Sequence, residues 1–165
     1  MDLYSVFLTL HIVGTVLGVG SATFAEIFVI KALKDGIIEP LEGDYLKTTY
    51  IVLRIGLILA VLSGFGFLFY YLITGYEEAL YSAKLWAKMT VVLVLLFNAL
   101  LLQARLIPLL LGSAISLTSW YTAMFLGIFR NIEAGYLVIL GWYVFAVLVV
   151  MFILKEVHRR FGVHI

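Results

Sequence analysis

Five long apolar runs, separated by short stretches of charge, glycine and proline, organise the chain. The first, Leu8 to Val29, carries His11 near one end and Glu26 near the other, with Gly14, Thr15, Gly18, Ser21, Ala22 and Ala25 between them. At about 100° per residue these positions share one side of a helix, and Ile12, Leu17, Phe24 and Phe28 share the other. A helix that is small and hydroxylated on one face and greasy on the other is built to pack closely inside a membrane bundle. The span extends from about Tyr4 to Leu33 and stops at Asp35-Gly36. From Gly36 to Lys47, Glu39, Glu42 and Asp44 surround Pro40, and the stretch reads as a solvated loop or short surface helix whose acids, with Asp35, face water.

The second span, about Thr48 to Thr74, has Arg54 one or two turns inside and Ser63-Gly64-Phe65-Gly66 in its middle, where glycine permits close backbone approach or a bend. After Gly75 to Glu78 comes the third, about Ala83 to Leu111, with Lys84, Lys88, Leu95, Asn98, Leu102 and Arg105 on one face. Lys88 and Arg105 flank its charge-free middle, so they are expected near the two interfaces, snorkelling to water. Pro108 ends or kinks this helix and Gly112-Ser113 is the natural break. The last span, Tyr136 to Leu154, leads into a basic tail of Lys155, His158, Arg159 and Arg160 that anchors in an anionic leaflet.

The segment Ile115 to Phe129 is short and carries Ser116, Thr118, Ser119 and Thr122. Charge decides whether it crosses. If it does, Lys31, Lys34, Lys47, Arg54, Arg105, Lys155, Arg159 and Arg160 share one side and Lys84, Lys88 and Arg130 the other, eight against three; if not, the division is six against five. The positive-inside rule selects the first arrangement. The expected fold is an all-α bundle of five transmembrane helices, the fourth short, forming one domain over residues 1–165, N-terminus out and C-terminus in, in a bacterial or archaeal cytoplasmic membrane. Trp86, Trp120, Tyr121, Trp142 and Tyr143 then belong mostly to the interfacial belts.

Composition sharpens this. The chain of 165 residues is 64% hydrophobic and only 13% charged, with a mean hydropathy of +1.14, where soluble domains carry about a quarter charged residues. No soluble catalytic domain fits beside five spans, and the lipid bilayer is the first partner. A net charge of +1 with scattered basic residues excludes a nucleic-acid surface, and the absence of cysteine excludes disulfides and thiolate metal sites within the chain. No Lys or Arg precedes the first run, so it is expected to be a retained span rather than a signal peptide.

Chemistry rests on few residues. His11, an imidazole within a span, suits haem iron, another metal or a proton relay, against a water-reaching or interhelical hydrogen-bonding role. Glu26 suits a proton or cation carrier, against a buried pair with Lys31, Arg54 or Arg105. Asn98 needs an interhelical partner or a ligand. Gln103 and Arg130 are weaker candidates, and His158 and His164 read as tail residues without chemistry. Phosphate-binding glycine loops, nucleophile elbows and Ser/His/Asp sets are missing.

LTLHIVGTVLGVG in the first span and LWAKMTVVLVLLFNALLLQARLIP in the third resemble the small membrane bundles that include the copper-resistance CopD domain and HemJ-type protoporphyrinogen oxidase. The matching positions are Leu8 or Leu10 with His11 and Ile12, then Ala87-Lys88 and Arg105. Ser63-Gly64, Ser116, Ser119-Trp120, Gly127 and Arg130 are similar to uncharacterised bacterial membrane proteins of the same kind. The resemblance implies haem b at His11. It departs at Asn98, where HemJ-like third spans often carry histidine, so haem here would be five-coordinate, use a non-His ligand or sit at a dimer interface.

Three functions follow as expectations. One is a haem b or related redox protein in electron transfer or porphyrin-linked oxidation, with His11 as ligand and Lys88, Asn98 and Arg105 lining the site or meeting propionates. Another is a small proton- or metal-ion transporter or channel, working as a homo-oligomer, in which Glu26, Arg54 and Asn98 line a polar path. The third is an accessory subunit of a membrane complex whose small-residue faces serve packing alone.

Overall fold

A computed structural model of the protein describes residues 2–32, 37–76, 80–129 and 132–160. Within these, five helices follow in order: α1 (Leu3–Ala32), α2 (Pro40–Thr74), α3 (Ala83–Gln103), α4 (Leu109–Ile128) and α5 (Tyr136–Arg160). Each is long and apolar enough to cross a membrane, the pattern of a multi-pass membrane protein. They alternate in direction. Tyr4 at the start of α1 meets Phe67 and Tyr70 late in α2, Thr90 early in α3 meets Tyr136 at the start of α5, and Glu26 late in α1 meets His158 late in α5. The end that carries Leu3 is called the upper end below, and the end that carries Ala32 the lower.

Asp2 starts α1 by accepting the Ser5 backbone N–H at 2.9 Å, and the hydrogen bonds from the Ser5 side chain and backbone hold its carboxyl below the ordinary range. α1 packs chiefly on α2, because glycine removes the side chains that would keep them apart. A Cβ on Gly14 would stand 2.6 Å from the Ala60 nitrogen, and one on Gly56 2.7 Å from the Gly18 nitrogen. Gly14 and Gly18, four residues apart, thus form a GxxxG contact with Gly56. The small face of α1 is consumed inside the chain. Its next neighbour is Trp120 of α4, whose ring covers Gly18 and joins Ala22 and Leu95 in the core. A second core, Ala87, Leu126 and Ile139, binds α3, α4 and α5 near the upper end.

Side-chain hydroxyls join the helices by one repeated device. Thr23, Thr90 and Ser119 each donate to a carbonyl of their own helix, which leaves an oxygen lone pair for a tyrosine of another: Tyr121 at 3.1 Å, Tyr136 at 2.9 Å and Tyr143 at 2.8 Å.

The helix boundaries differ from the sequence expectation in three places. α2 begins at Pro40 rather than near Thr48, since Pro40 occupies the first turn and the Glu42 carboxylate accepts the Glu39 backbone N–H at 3.0 Å. Its 35 residues span about 52 Å, well beyond the ~30 Å of a bilayer core. α3 ends at Gln103 and not at Leu111, and the break falls at 104–108, where Arg105 takes a left-handed φ of 57°. Pro108 supplies no N–H to continue a helix, whereas Gly112 sits inside α4 with Leu102 packed on it. The fourth helix is therefore not short: its 20 residues measure about 30 Å. α5 continues through the basic tail to Arg160. Trp120 and Tyr143 are buried, at 3% and 7% exposure, and do not belong to an interfacial belt. Trp86 and Trp142 are exposed on the surface of their helices.

Candidate functional site

α1 carries a polar cluster at each end. At the upper end His11 projects between α2 and α3. Its Nδ1 lies 2.9 Å from the Ser63 hydroxyl and 3.2 Å from the Ala60 carbonyl. A carbonyl only accepts, and the Ser63 hydroxyl already donates to the Leu59 carbonyl at 2.6 Å, so Nδ1 carries the proton. Nε2 is then an acceptor. Lys88 Nζ stands 3.1 Å from it and donates, which draws α3 onto α1. The same amine lies 3.7 Å from where a Cβ on Gly127 of α4 would be, an ordinary contact that places Lys88 against α4 as well. Lys84, one turn earlier, donates to the Phe129 carbonyl at 2.7 Å and satisfies the C-terminal end of α4.

At the lower end Glu26 and His158 meet at 3.0 Å, Oε1 to Nε2, their side chains 9% and 6% exposed. His158 Nδ1 has no hydrogen-bond partner among the described residues. Beside the pair lies a cavity of about 280 Å³ enclosed by α1, α2, α3 and α4. Its polar lining is Glu26, Tyr50, Arg54, Asn98, Gln103, Ser113 and Ser116, and the rest is apolar. Asn98 Nδ2 donates to the Gly112 carbonyl at 2.9 Å, but Oδ1 is buried without a partner among the described residues. The exposed lining residues are Arg54 of α2 and Ala99 and Gln103 of α3. The cavity therefore opens sideways, between α2 and α3, two helices that pack on their other neighbours rather than on each other.

Of the four residues expected to share a cofactor site, only His11 and Lys88 come together. Asn98 lies ten positions further along α3, about 15 Å away along its axis, and Arg105 is exposed in the turn beyond. Lys88 is not a snorkelling residue, since it turns inward to His11. The transport candidates fare differently: Glu26, Arg54 and Asn98 all line the one cavity. Glu26 does have a buried partner, but it is His158, not Lys31, Arg54 or Arg105. Arg130 and His164 lie outside the described residues. Sequence reasoning missed His158, although its spacing held the signal: Leu154 and His158 are four apart, so His158 continues the buried face of α5.

No family model matches the chain, and no curated protein or solved structure matches it either. The site is therefore read from its own atoms. Haem b at His11, implied by the CopD/HemJ-like motifs, requires a ring nitrogen free to meet iron. Here Nδ1 donates and Nε2 accepts from Lys88, and of the side chains expected to line the site, Asn98 and Arg105 stand towards the far end of α3. As arranged, these residues do not fit that site. Among the described residues no group of three or more His, Asp or Glu side chains is placed to hold a metal ion.

Proposed function

We propose that this protein is a small proton-linked membrane carrier, its N-terminus outside and its C-terminus cytoplasmic, whose working site is the cavity between α1–α2 and α3–α4. One observation carries the reading: Glu26, Arg54 and Asn98, distant in sequence and each costly to bury in an apolar bundle, border the same cavity. Glu26 lines its wall and is hydrogen-bonded to His158 behind it, which sets a carboxyl and an imidazole, side chains suited to proton relays, beside the cavity. Arg54 opposes a metal cation as cargo, because its fixed positive charge faces the same space. The orientation is supported by basic residues: among the described ones, Lys31, Lys47, Arg54, Arg105, Lys155, Arg159 and Arg160 fall on the lower side, against Lys84 and Lys88 on the upper.

Proteoliposomes holding a pH-sensitive dye test this. Under an imposed proton gradient the wild-type chain is expected to acidify the lumen faster than protein-free vesicles, and Glu26→Gln to return the rate to background. Wild-type vesicles indistinguishable from protein-free ones would remove the transport reading.

A further inference from the structure

We infer that the cavity takes the headgroup end of a single-chain acidic amphiphile, a phosphate monoester or carboxylate that also carries a hydroxyl or N–H donor. The inference rests on the reading of this cavity as the working site and names the class of molecule it accepts. Three observations on different helices carry it. Arg54 is exposed at the cavity mouth and makes no ion pair with any described residue, so its guanidinium is free to grip an oxyanion. Asn98 lines the cavity, and its Oδ1, closed off from that space as it stands, has no partner among the described residues, so a ligand donor that draws the amide into the cavity would satisfy it. The opening is lateral, and at about 280 Å³ the space falls just below the ~300–1,000 Å³ of a site that encloses a drug-sized ligand.

Such a volume holds a headgroup and the first few carbons, and the remainder of a chain leaves between α2 and α3 along Leu53, Leu57, Ala99 and Leu102. Leucine and alanine walls with a cation at the rim and several polar side chains between them match an amphiphile better than an inorganic ion, which would gain nothing from the leucines. Glu26 also borders the space, and with His158 holding its carboxylate the acid group of the ligand is kept on the Arg54 side.

The test is native mass spectrometry of the full chain in detergent, titrated with 1-oleoyl-lysophosphatidic acid, its 2-deoxy analogue, oleoyl-lysophosphatidylcholine and inorganic phosphate. Lysophosphatidic acid is expected to bind about tenfold or more tightly than the choline ester and the deoxy analogue, to weaken by a similar factor in Arg54→Gln, and to be unchanged in Arg105→Gln. Equal binding of the acid and choline lipids, or an unaltered Arg54→Gln, would overturn the inference. So would inorganic phosphate that competes as well as the lipid, by assigning the site to the free anion. Binding in detergent needs no gradient, so a protein that binds the lipid but moves no protons fails only as a carrier. One that moves protons without binding the lipid loses only this assignment.

Discussion

His158 closes onto Glu26 across 132 residues of sequence, Nε2 to Oε1 at 3.0 Å, with both side chains almost fully buried. This contact fastens the last helix to the first at the lower end of the bundle, and it converts a tail that looks purely electrostatic into part of the interior.

Removing one partner strands the other in an apolar setting, which typically costs about 3–5 kcal/mol, whereas replacing both with apolar groups is often neutral. Glu26→Leu and His158→Phe are each expected to lower thermal stability in detergent strongly, and the double variant to recover most of the loss. Losses that simply add in the double variant would show that the two side chains do not interact.

Gly14→Ala is expected to destabilise by about 1–3 kcal/mol through forced overpacking, since its Cβ would meet the Ala60 and Gly56 backbones. Gly64→Ala on α2 meets nothing within 4 Å and should be neutral, or stabilising by up to about 1 kcal/mol through helix propensity. Thermal melts of the two variants in one detergent make the comparison, and equal effects would contradict the α1–α2 backbone contact.

At the upper end, the His11 ring is expected to be neutral and protonated on Nδ1. Nitrogen-15 NMR of histidine-labelled protein reads the tautomer directly, and the Nε2 resonance should shift in Lys88→Met. A ring protonated on Nε2 would contradict the assignment. The same occupied ring predicts no Soret band in protein purified with adequate haem supply. A band present in the wild type and absent in His11→Ala would instead establish His11 as a haem ligand and require Lys88 to leave Nε2.

Because the chain has no cysteine, single-cysteine labelling gives orientation without background. Asp2→Cys is expected to react with an impermeant maleimide on intact cells, and Arg160→Cys only after permeabilisation. The reverse pattern would invert the proposed topology.

The number of helices was legible because each apolar run exceeds the length needed to cross a bilayer, a signal that no local detail disturbs. Boundaries were harder where two rules competed. Pro108 and Gly112-Ser113 both promised a break, and proline prevailed because it lacks the backbone donor, while Gly112 could be absorbed beneath Leu102. Glu39-Pro40-Leu41-Glu42 held a helix start that its acidity disguised as loop. The cavity was legible in part: Glu26, Arg54 and Asn98 stood out as polar groups in apolar runs, but their meeting depends on helix rotation, which charge counting cannot supply. His158 was hidden among Lys155, Arg159 and Arg160, where only its fourfold spacing from Leu154 set it apart.

The glycine contact between α1 and α2 has a mechanical consequence. With backbone resting on backbone at Gly14, Gly18 and Gly56, where no side chain can slide or change rotamer, those two helices form one stiff blade, and α3 with α4 forms the facing one. The cleft has one wall on each blade, so widening it means swinging one against the other. Trp120, packed on Gly18 and held among Ala22 and Leu95, is where the two meet, so any such swing must turn about that ring.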